Sequence, residues 1–147
     1  MTSPITTRVA ALRSGEDPLL IARVPSGWAV LNERQPDAIA PCCVLLPDPV
    51  VPALNDLDAP TRAAFMADLA RLGDSILAVT DAERVNYLIL CNQAPELHAH
   101  AIGRYASEDP AKRRLGPFEA YDFGAARPAD PAGHDADMLV RLRAELA

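Results

Sequence analysis

The run ELHAHAIGRY, from Glu96 to Tyr105, constrains the fold of this chain more than any other segment. Polar residues stand at alternate positions, at Glu96, His98 and His100, and apolar residues lie between them. Since side chains alternate between the two sides of a β-strand, this pattern predicts a strand with one polar and one buried face. A carboxylate and two imidazoles on one face are typical of nucleophilic or acid–base catalysis, or of a metal site.

The remaining hydrophobic pattern predicts an α+β fold. Helices are predicted to open at Ser3-Pro4 and at Asp58, and a third is predicted within 132–147. Five strands are predicted at 19–24, 28–31, 42–46, 85–90 and 97–105. The turn at 25–27 predicts a hairpin of the first two strands, and the short link 91–95 predicts that the last two pair antiparallel.

The chain beyond Tyr105 changes character. Residues 107–114 are charged, and 116–133 hold prolines, glycines and the aromatic residues Phe118, Tyr121 and Phe123. Because these rings would be poorly placed in water, we expect the segment to pack on the body of the protein. We therefore predict a single domain over 1–147, with its core at about 19–105 and a C-terminal extension at 106–147 packed on it.

The charge balance limits the classes of partner. A formal net charge of −6 argues against binding to the phosphate backbone of nucleic acid, although a locally positive pocket can still take a single nucleotide. No apolar run approaches the ~20 residues that span a bilayer, so no membrane partner is expected. We interpret Arg104 as an ion-pair partner rather than a phosphate ligand.

The cysteines indicate the cellular compartment. The chain has three, Cys42, Cys43 and Cys91, and its N-terminus shows no signal-peptide pattern. An odd count without a signal predicts free thiols in a reducing cytoplasm, with Cys42 and Cys43 as small buried residues on opposite faces of a strand. We expect no bound cofactor, and a metal site is only an alternative to the interpretation that follows.

The run 96–105 resembles the motif strand of the histidine triad (HIT) superfamily, in which H-x-H-x-H precedes two apolar residues. The resemblance places the middle triad histidine at His98 and the third at His100, and it puts Glu96 in the first position. The preceding sequence CNQAP, residues 91–95, is similar to the Gly-Asn-x-x-Pro of a bacterial branch in which Gln replaces the first histidine. The chain thus resembles that branch, and within it a diadenosine polyphosphate hydrolase.

Two upstream segments extend the resemblance. The sequence WAVLN, residues 28–32, resembles the strand whose Asn contacts the nucleoside ribose, which would be Asn32 here. Residues 43–47 and 55–57 resemble the next strand and the entry to the following helix. One departure is Cys42, which stands where the family usually has the His of a Gly-His pair.

The resemblance implies an architecture and an assembly. The fold would be α+β, with a five-stranded antiparallel sheet and helices packed on one face. Two copies would form a homodimer with joined sheets, which would also protect a sheet edge.

The resemblance also implies an activity. The protein would be a hydrolase or nucleotidyl transferase acting on the α-phosphate of a purine nucleoside phosphoramidate or dinucleoside polyphosphate, through a nucleotidyl-histidine. His98 and His100 would be catalytic, and the nucleotide- and phosphate-binding residues would be Asn32, Asn92, Gln93 and Glu96. A carboxylate repels a phosphate, so Glu96 would have to be protonated, turned away or paired with a histidine. Pairing with His100 would raise the pKa of that imidazole and keep it cationic.

Two other functions stay open. The first is a nucleotide-binding module without significant turnover, which the departures at Glu96 and Cys42 favour. The second is a metal site formed by Glu96, His98 and His100, with Cys91 nearby. Three ligands at i, i+2 and i+4 of one strand span about 13 Å, which is poor geometry for a single ion.

Overall fold

The centre of the molecule is a five-stranded antiparallel sheet. A computed structural model describes residues 2–147. The strands of the chain are β1 (Leu20–Val24), β2 (Gly27–Leu31), β3 (Arg34–Gln35), β4 (Cys42–Pro47), β5 (Arg84–Leu88), β6 (Ala99–Arg104) and β7 (Arg127–Pro128). The main sheet has the order β1-β2-β4-β6-β5, and β3 and β7 pair separately. The predicted hairpin and the predicted antiparallel pairing of the last two strands are confirmed.

Local capping signals account for where the first two predicted helices begin. Helix α1 (Pro4–Arg13) starts after Ser3, whose hydroxyl accepts a hydrogen bond from the Thr6 N–H. Helix α2 (Ala59–Val79) starts after Asp58, whose carboxylate accepts one from the Thr61 N–H. The other helices are α3 (Pro110–Arg113), α4 (Pro117–Ala120) and α5 (Ala136–Leu146).

Helices cover both sides of the sheet. Helices α2 and α5 pack on one face, where the main core contains Leu31, Leu45 and Leu97 together with helix residues such as Phe65 and Leu142. This confirms the predicted α+β sheet with helices on one face. Helix α1 adds a smaller layer on the opposite face, where Ile5, Val9 and Leu12 pack on Val30, Val44 and Leu46. One helix, α1, thus lies on the face of the sheet that the prediction left uncovered.

The strand that carries the motif is shorter in the structure than the alternating pattern predicts. Strand β6 begins at Ala99, so Glu96 and His98 precede it instead of lying on it. Cys42 and Cys43 occupy opposite faces of β4, in different core clusters, as predicted. Within residues 2–147, no helix combines the length and apolar character that crossing a membrane requires.

A buried amide fixes the loop between β2 and β4. The side chain of Gln35 is fully buried. Its Nε2 donates to the carbonyl oxygens of Asn32 and Cys42, at 2.8 and 2.9 Å, and its Oε1 accepts from the Cys42 N–H at 2.8 Å. One side chain thereby satisfies three backbone groups and holds Asn32 at the end of β2.

Replacing this amide should destabilise the protein. In Gln35→Leu the Cys42 N–H and the Asn32 carbonyl lose their side-chain partner in a dry interior, so we expect the free energy of unfolding to fall by about 2–4 kcal/mol. Gln93→Leu is the matched control because Gln93 is exposed. Urea denaturation of both variants measures the difference, and equal midpoints would contradict the role given to Gln35.

Candidate functional site

His98 lies just before β6 with one ring nitrogen already engaged. Its Nδ1 is 2.8 Å from the backbone carbonyl oxygen of Glu96. A carbonyl can only accept, so this contact assigns the proton of the neutral imidazole to Nδ1. Nε2 then carries the lone pair. His98 lines two adjoining cavities, so its nucleophilic nitrogen is the one left available to a ligand.

His100 lies on β6, on the same side of the sheet as α1. It is paired across the sheet with Val44 of β4, which belongs to the core under α1. Its ring centroid is 5.3 Å from that of His98, with the rings nearly perpendicular. Its Nδ1 is buried and has no hydrogen-bond partner within residues 2–147. Burial, together with the neighbouring His98, lowers the pKa of His100 to about 4.

The two cavities share these histidines and differ in character. The smaller, about 300 Å³, lies between α1, the ends of β2 and β4, and the C-terminal segment, and it has an apolar side formed by Ile5, Val44 and Leu46. The larger, about 840 Å³, extends toward the loop 90–94 before the motif. Together they offer an apolar compartment and a more polar one that meet at His98 and His100.

The C-terminal segment supplies one wall of both cavities. Phe118, Phe123 and Gly124 line both cavities. The Phe118 ring meets His100 edge to face, with centroids 4.9 Å apart, and Phe123 lies 4.6 Å from Phe118. Phe118 and Phe123 thus border the histidine cavities in the structure. The position of this segment against His100 was not predicted.

Three of the predicted binding residues line the cavities. Asn32 borders both, with its side-chain amide donating to the Arg34 carbonyl at 2.9 Å. Asn92 and Gln93 are exposed and border the larger cavity. They follow Cys91, whose positive φ of 56° turns the chain between β5 and the motif.

Solved structures with this fold are found among histidine triad proteins. A histidine triad protein from Bradyrhizobium japonicum is 21% identical, with 92% of this chain and 95% of that chain covered and a TM-score of 0.73. A histidine triad protein from Marinobacter aquaeolei is 17% identical, with 99% and 97% covered and a TM-score of 0.70. A hypothetical histidine triad nucleotide-binding protein from Sulfolobus tokodaii is 12% identical, with 95% and 91% covered and a TM-score of 0.71.

The chain has the histidine triad fold. No family model and no curated protein matches the sequence. At these identities the similarity concerns the fold, and the roles of individual residues have to be argued from the geometry of this chain.

Glu96, which the sequence resemblance places in the first triad position, does not pair with a histidine in the structure. Its carboxylate accepts a hydrogen bond from the Thr6 hydroxyl at 2.8 Å, on helix α1. Its side chain is not part of the lining of either histidine cavity. Of the three alternatives for Glu96, the structure has the one in which the carboxylate is turned away, on Thr6. Pairing with His100 is not what it shows, and the pKa of His100 is lowered rather than raised.

Arg104, at the other end of β6, forms the predicted ion pair, and the pair is buried. Its guanidinium donates to Glu108 at 2.9 Å, to Asn86 Oδ1 at 2.9 Å and to the Leu115 carbonyl at 2.6 Å. Burial opposes ionisation of Glu108. Hydrogen bonds from Arg104, from the Tyr121 hydroxyl and from the Tyr105 N–H outweigh it and hold the pKa of Glu108 below its ordinary value.

The metal hypothesis finds no support in the arrangement. Among residues 2–147, no three His, Cys, Asp or Glu side chains are placed to hold one ion. Cys91 Sγ lies 3.5 Å from the backbone carbonyl oxygen of His98, where it acts as a weak donor rather than a ligand beside the imidazoles.

A buried neutral histidine makes stability depend on pH. His100 has a pKa of about 4 in the folded protein, and an unfolded histidine titrates near 6.5, so the unfolded chain binds more protons between these values. We expect the free energy of unfolding to be fully retained above about pH 6.5 and to fall by about 1–3 kcal/mol as the pH drops toward 4.

Urea denaturation across this range, in the wild type and in His100→Gln, measures that contribution. The free energy of unfolding of His100→Gln should vary less with pH than that of the wild type. His134→Gln is the control because His134 is exposed. The same pH dependence in wild type and His100→Gln would contradict the buried neutral state.

Proposed function

We propose that this protein is a nucleotide hydrolase or nucleotidyl transferase that acts on the α-phosphate of a purine nucleotide derivative through His98. The observation that carries the proposal is the hydrogen bond from His98 Nδ1 to the Glu96 carbonyl, in a residue that borders both cavities. An imidazole fixed in this way presents an unprotonated nitrogen and gains a stabilising acceptor when it becomes positively charged.

The proposed reaction has two steps. His98 Nε2 attacks the α-phosphorus, the bond from phosphorus to the leaving nitrogen or oxygen breaks, and the leaving group takes a proton from solvent. Water then attacks the nucleotidyl-histidine and breaks the P–N bond. This step releases one proton of the water to solvent and returns a neutral imidazole and a nucleoside monophosphate. The Glu96 carbonyl stabilises the charged ring through Nδ1–H in both steps.

The surroundings of His98 fit the parts of such a substrate. The apolar side of the smaller cavity suits a purine base, and Asn32 at its border suits a ribose hydroxyl. Asn92, Gln93 and the N–H that a neutral His100 retains are the proposed donors to the phosphoryl oxygens, where charge develops in the transition state. Glu96, held by Thr6 outside the cavity lining, leaves this space to the phosphate.

Turnover of a nucleoside phosphoramidate tests the nucleophile. His98→Ala should abolish it, with a loss of at least about 10³-fold, because no other side chain replaces the attacking nitrogen. His100→Ala should lose less, about 10- to 100-fold, because a donor is removed rather than the nucleophile. Trapping of a nucleotidyl-protein should succeed in the wild type and in His100→Ala, which both keep the nucleophile, and should fail in His98→Ala. Equal residual rates in the two variants would remove the assignment to His98.

A nucleotide-binding module without turnover is the second candidate. The observations that favour it are Glu96 in the first triad position and Cys42, which lies in a core cluster away from the cavities. Calorimetric titration with a purine mononucleotide, followed by incubation with adenosine phosphoramidate and diadenosine tetraphosphate, separates the two. Binding without hydrolysis of either compound would select the binding module.

We also propose a homodimer with joined sheets. Strand β5 is an edge of the main sheet and is only partly covered. Beside it, Tyr87 is 45% exposed and Leu77 of α2 is 42% exposed. The Tyr87 hydroxyl lies against Gly73, one turn before Leu77, so strand edge and helix form a continuous surface with apolar side chains. A second copy paired along β5 would cover both the edge and these side chains.

A charge on this surface should break the dimer. Leu77→Glu places a carboxylate in the proposed contact and is expected to shift the mass from dimer to monomer at micromolar concentration. Val140→Glu is the matched control, because Val140 is 62% exposed on α5 and outside this surface. Size exclusion with light scattering measures both. A monomeric wild type, or a dimer that Leu77→Glu leaves intact, would contradict the proposal.

The proposed organisation is one domain over 1–147 in the cytoplasm. It is supported by the packing of α5 on α2 and β1, which joins the C-terminal extension to the core, and by three cysteines without a disulfide.

A further inference from the structure

Four aromatic rings form a continuous row from the nucleophile to the C-terminal segment. The distances between successive centroids are 5.3 Å from His98 to His100, 4.9 Å from His100 to Phe118, and 4.6 Å from Phe118 to Phe123. The last two rings belong to a part of the chain that contributes no strand to the main sheet. The environment of His100 is thus partly set by residues far from the motif in sequence.

The segment that carries Phe118 is held in place by the ion pair at the end of β6. Arg104 donates to the carbonyl oxygens of Lys112 and Leu115, at 2.9 and 2.6 Å. The Tyr121 hydroxyl donates to Glu108 at 2.6 Å. These contacts fix the chain on both sides of Phe118, whose ring is 36% exposed, and thereby hold the ring against His100.

We propose that Phe118 is a positioning residue for the reaction. Its ring, backed by Phe123, keeps water from the His100 imidazole and fixes that imidazole beside His98. The kinetic part of this inference rests on the proposed function. The part that concerns the state of His100 does not.

The physical argument starts from the unpaired Nδ1 of His100. A buried imidazole nitrogen without a partner cannot easily take up a proton, since the cation would lack both water and an acceptor. His100 therefore stays neutral, and no second positive charge lies beside His98 when His98 becomes cationic. Removing the Phe118 ring would admit water to Nδ1, and His100 could then take up a proton.

The other charged groups around the cavities do not favour protonation of His100. Those that line the two cavities with it are Arg8, Glu33, Arg34, His98, Glu119 and Asp122. Arg8 is paired with Asp17 at 2.9 Å, and Glu33, Arg34, Glu119 and Asp122 are exposed. The lowered pKa of His100 has burial as its main cause and His98 as the second.

The test is a pH titration of the histidine ring resonances by NMR in the ligand-free protein. The variants are Phe118→Ala, the conservative Phe118→Tyr and the control Leu115→Ala, since Leu115 is 43% exposed in the same segment. We expect the His100 midpoint to rise by at least about one pH unit in Phe118→Ala, and to stay at its wild-type value in Phe118→Tyr and Leu115→Ala.

Kinetics give a second readout. In Phe118→Ala the acid limb of the kcat profile for a phosphoramidate should move by the same amount as the His100 midpoint, and Phe118→Tyr should restore the wild-type profile. If the wild type has no turnover, the proposed function fails while the NMR titration still decides the role of Phe118. An unchanged His100 midpoint in a folded Phe118→Ala overturns the inference. If that variant does not fold, Phe118→Leu takes its place under the same criterion.

Discussion

The buried ion pair between Arg104 and Glu108 connects the sheet of this protein to its histidine site. Arg104 is the last residue of β6, and Glu108 lies in the turn that follows. A buried pair is costly unless its remaining hydrogen-bonding groups are satisfied, and here the additional partners are backbone carbonyls of the C-terminal segment and the hydroxyl of Tyr121. The pair therefore organises a segment that has little regular structure of its own.

Strand β6 thus has a different task at each end. His100 lies near its start, two residues after His98, and its last residue, Arg104, anchors the segment that carries Phe118 to His100. The two ends are joined by apolar residues buried in the sheet, including Ala101 and Ile102. Because β6 is paired on both sides, with β4 and β5, the sheet fixes the distance between Arg104 and His100.

Sequence reasoning succeeded where the signals are local. Ser3 and Asp58 mark helix starts because a side-chain oxygen caps the next turn, and alternation around His100 marks the motif strand because it lies in a sheet with distinct faces. It failed where the partner lies elsewhere in the chain. Glu96 bonds to Thr6, and Phe118 packs on His100, and neither contact has a periodicity that a sequence displays. Gln35 was missed for the same reason, since a buried amide in a loop has no local signature.

The aromatic side of the cavities and the hydrogen bond that orients His98 come from different parts of the chain. His98 and the carbonyl group that accepts its hydrogen bond both lie within residues 96–98, next to β6. Phe118, Phe123 and Gly124 come from a segment that pairs with no strand of the main sheet. Substitutions in that segment can reshape the cavity without disturbing the hydrogen bond that orients His98. Variation in this segment would therefore alter the shape of the cavity and the surroundings of His100, while the orientation of His98 depends on residues 96–98 alone.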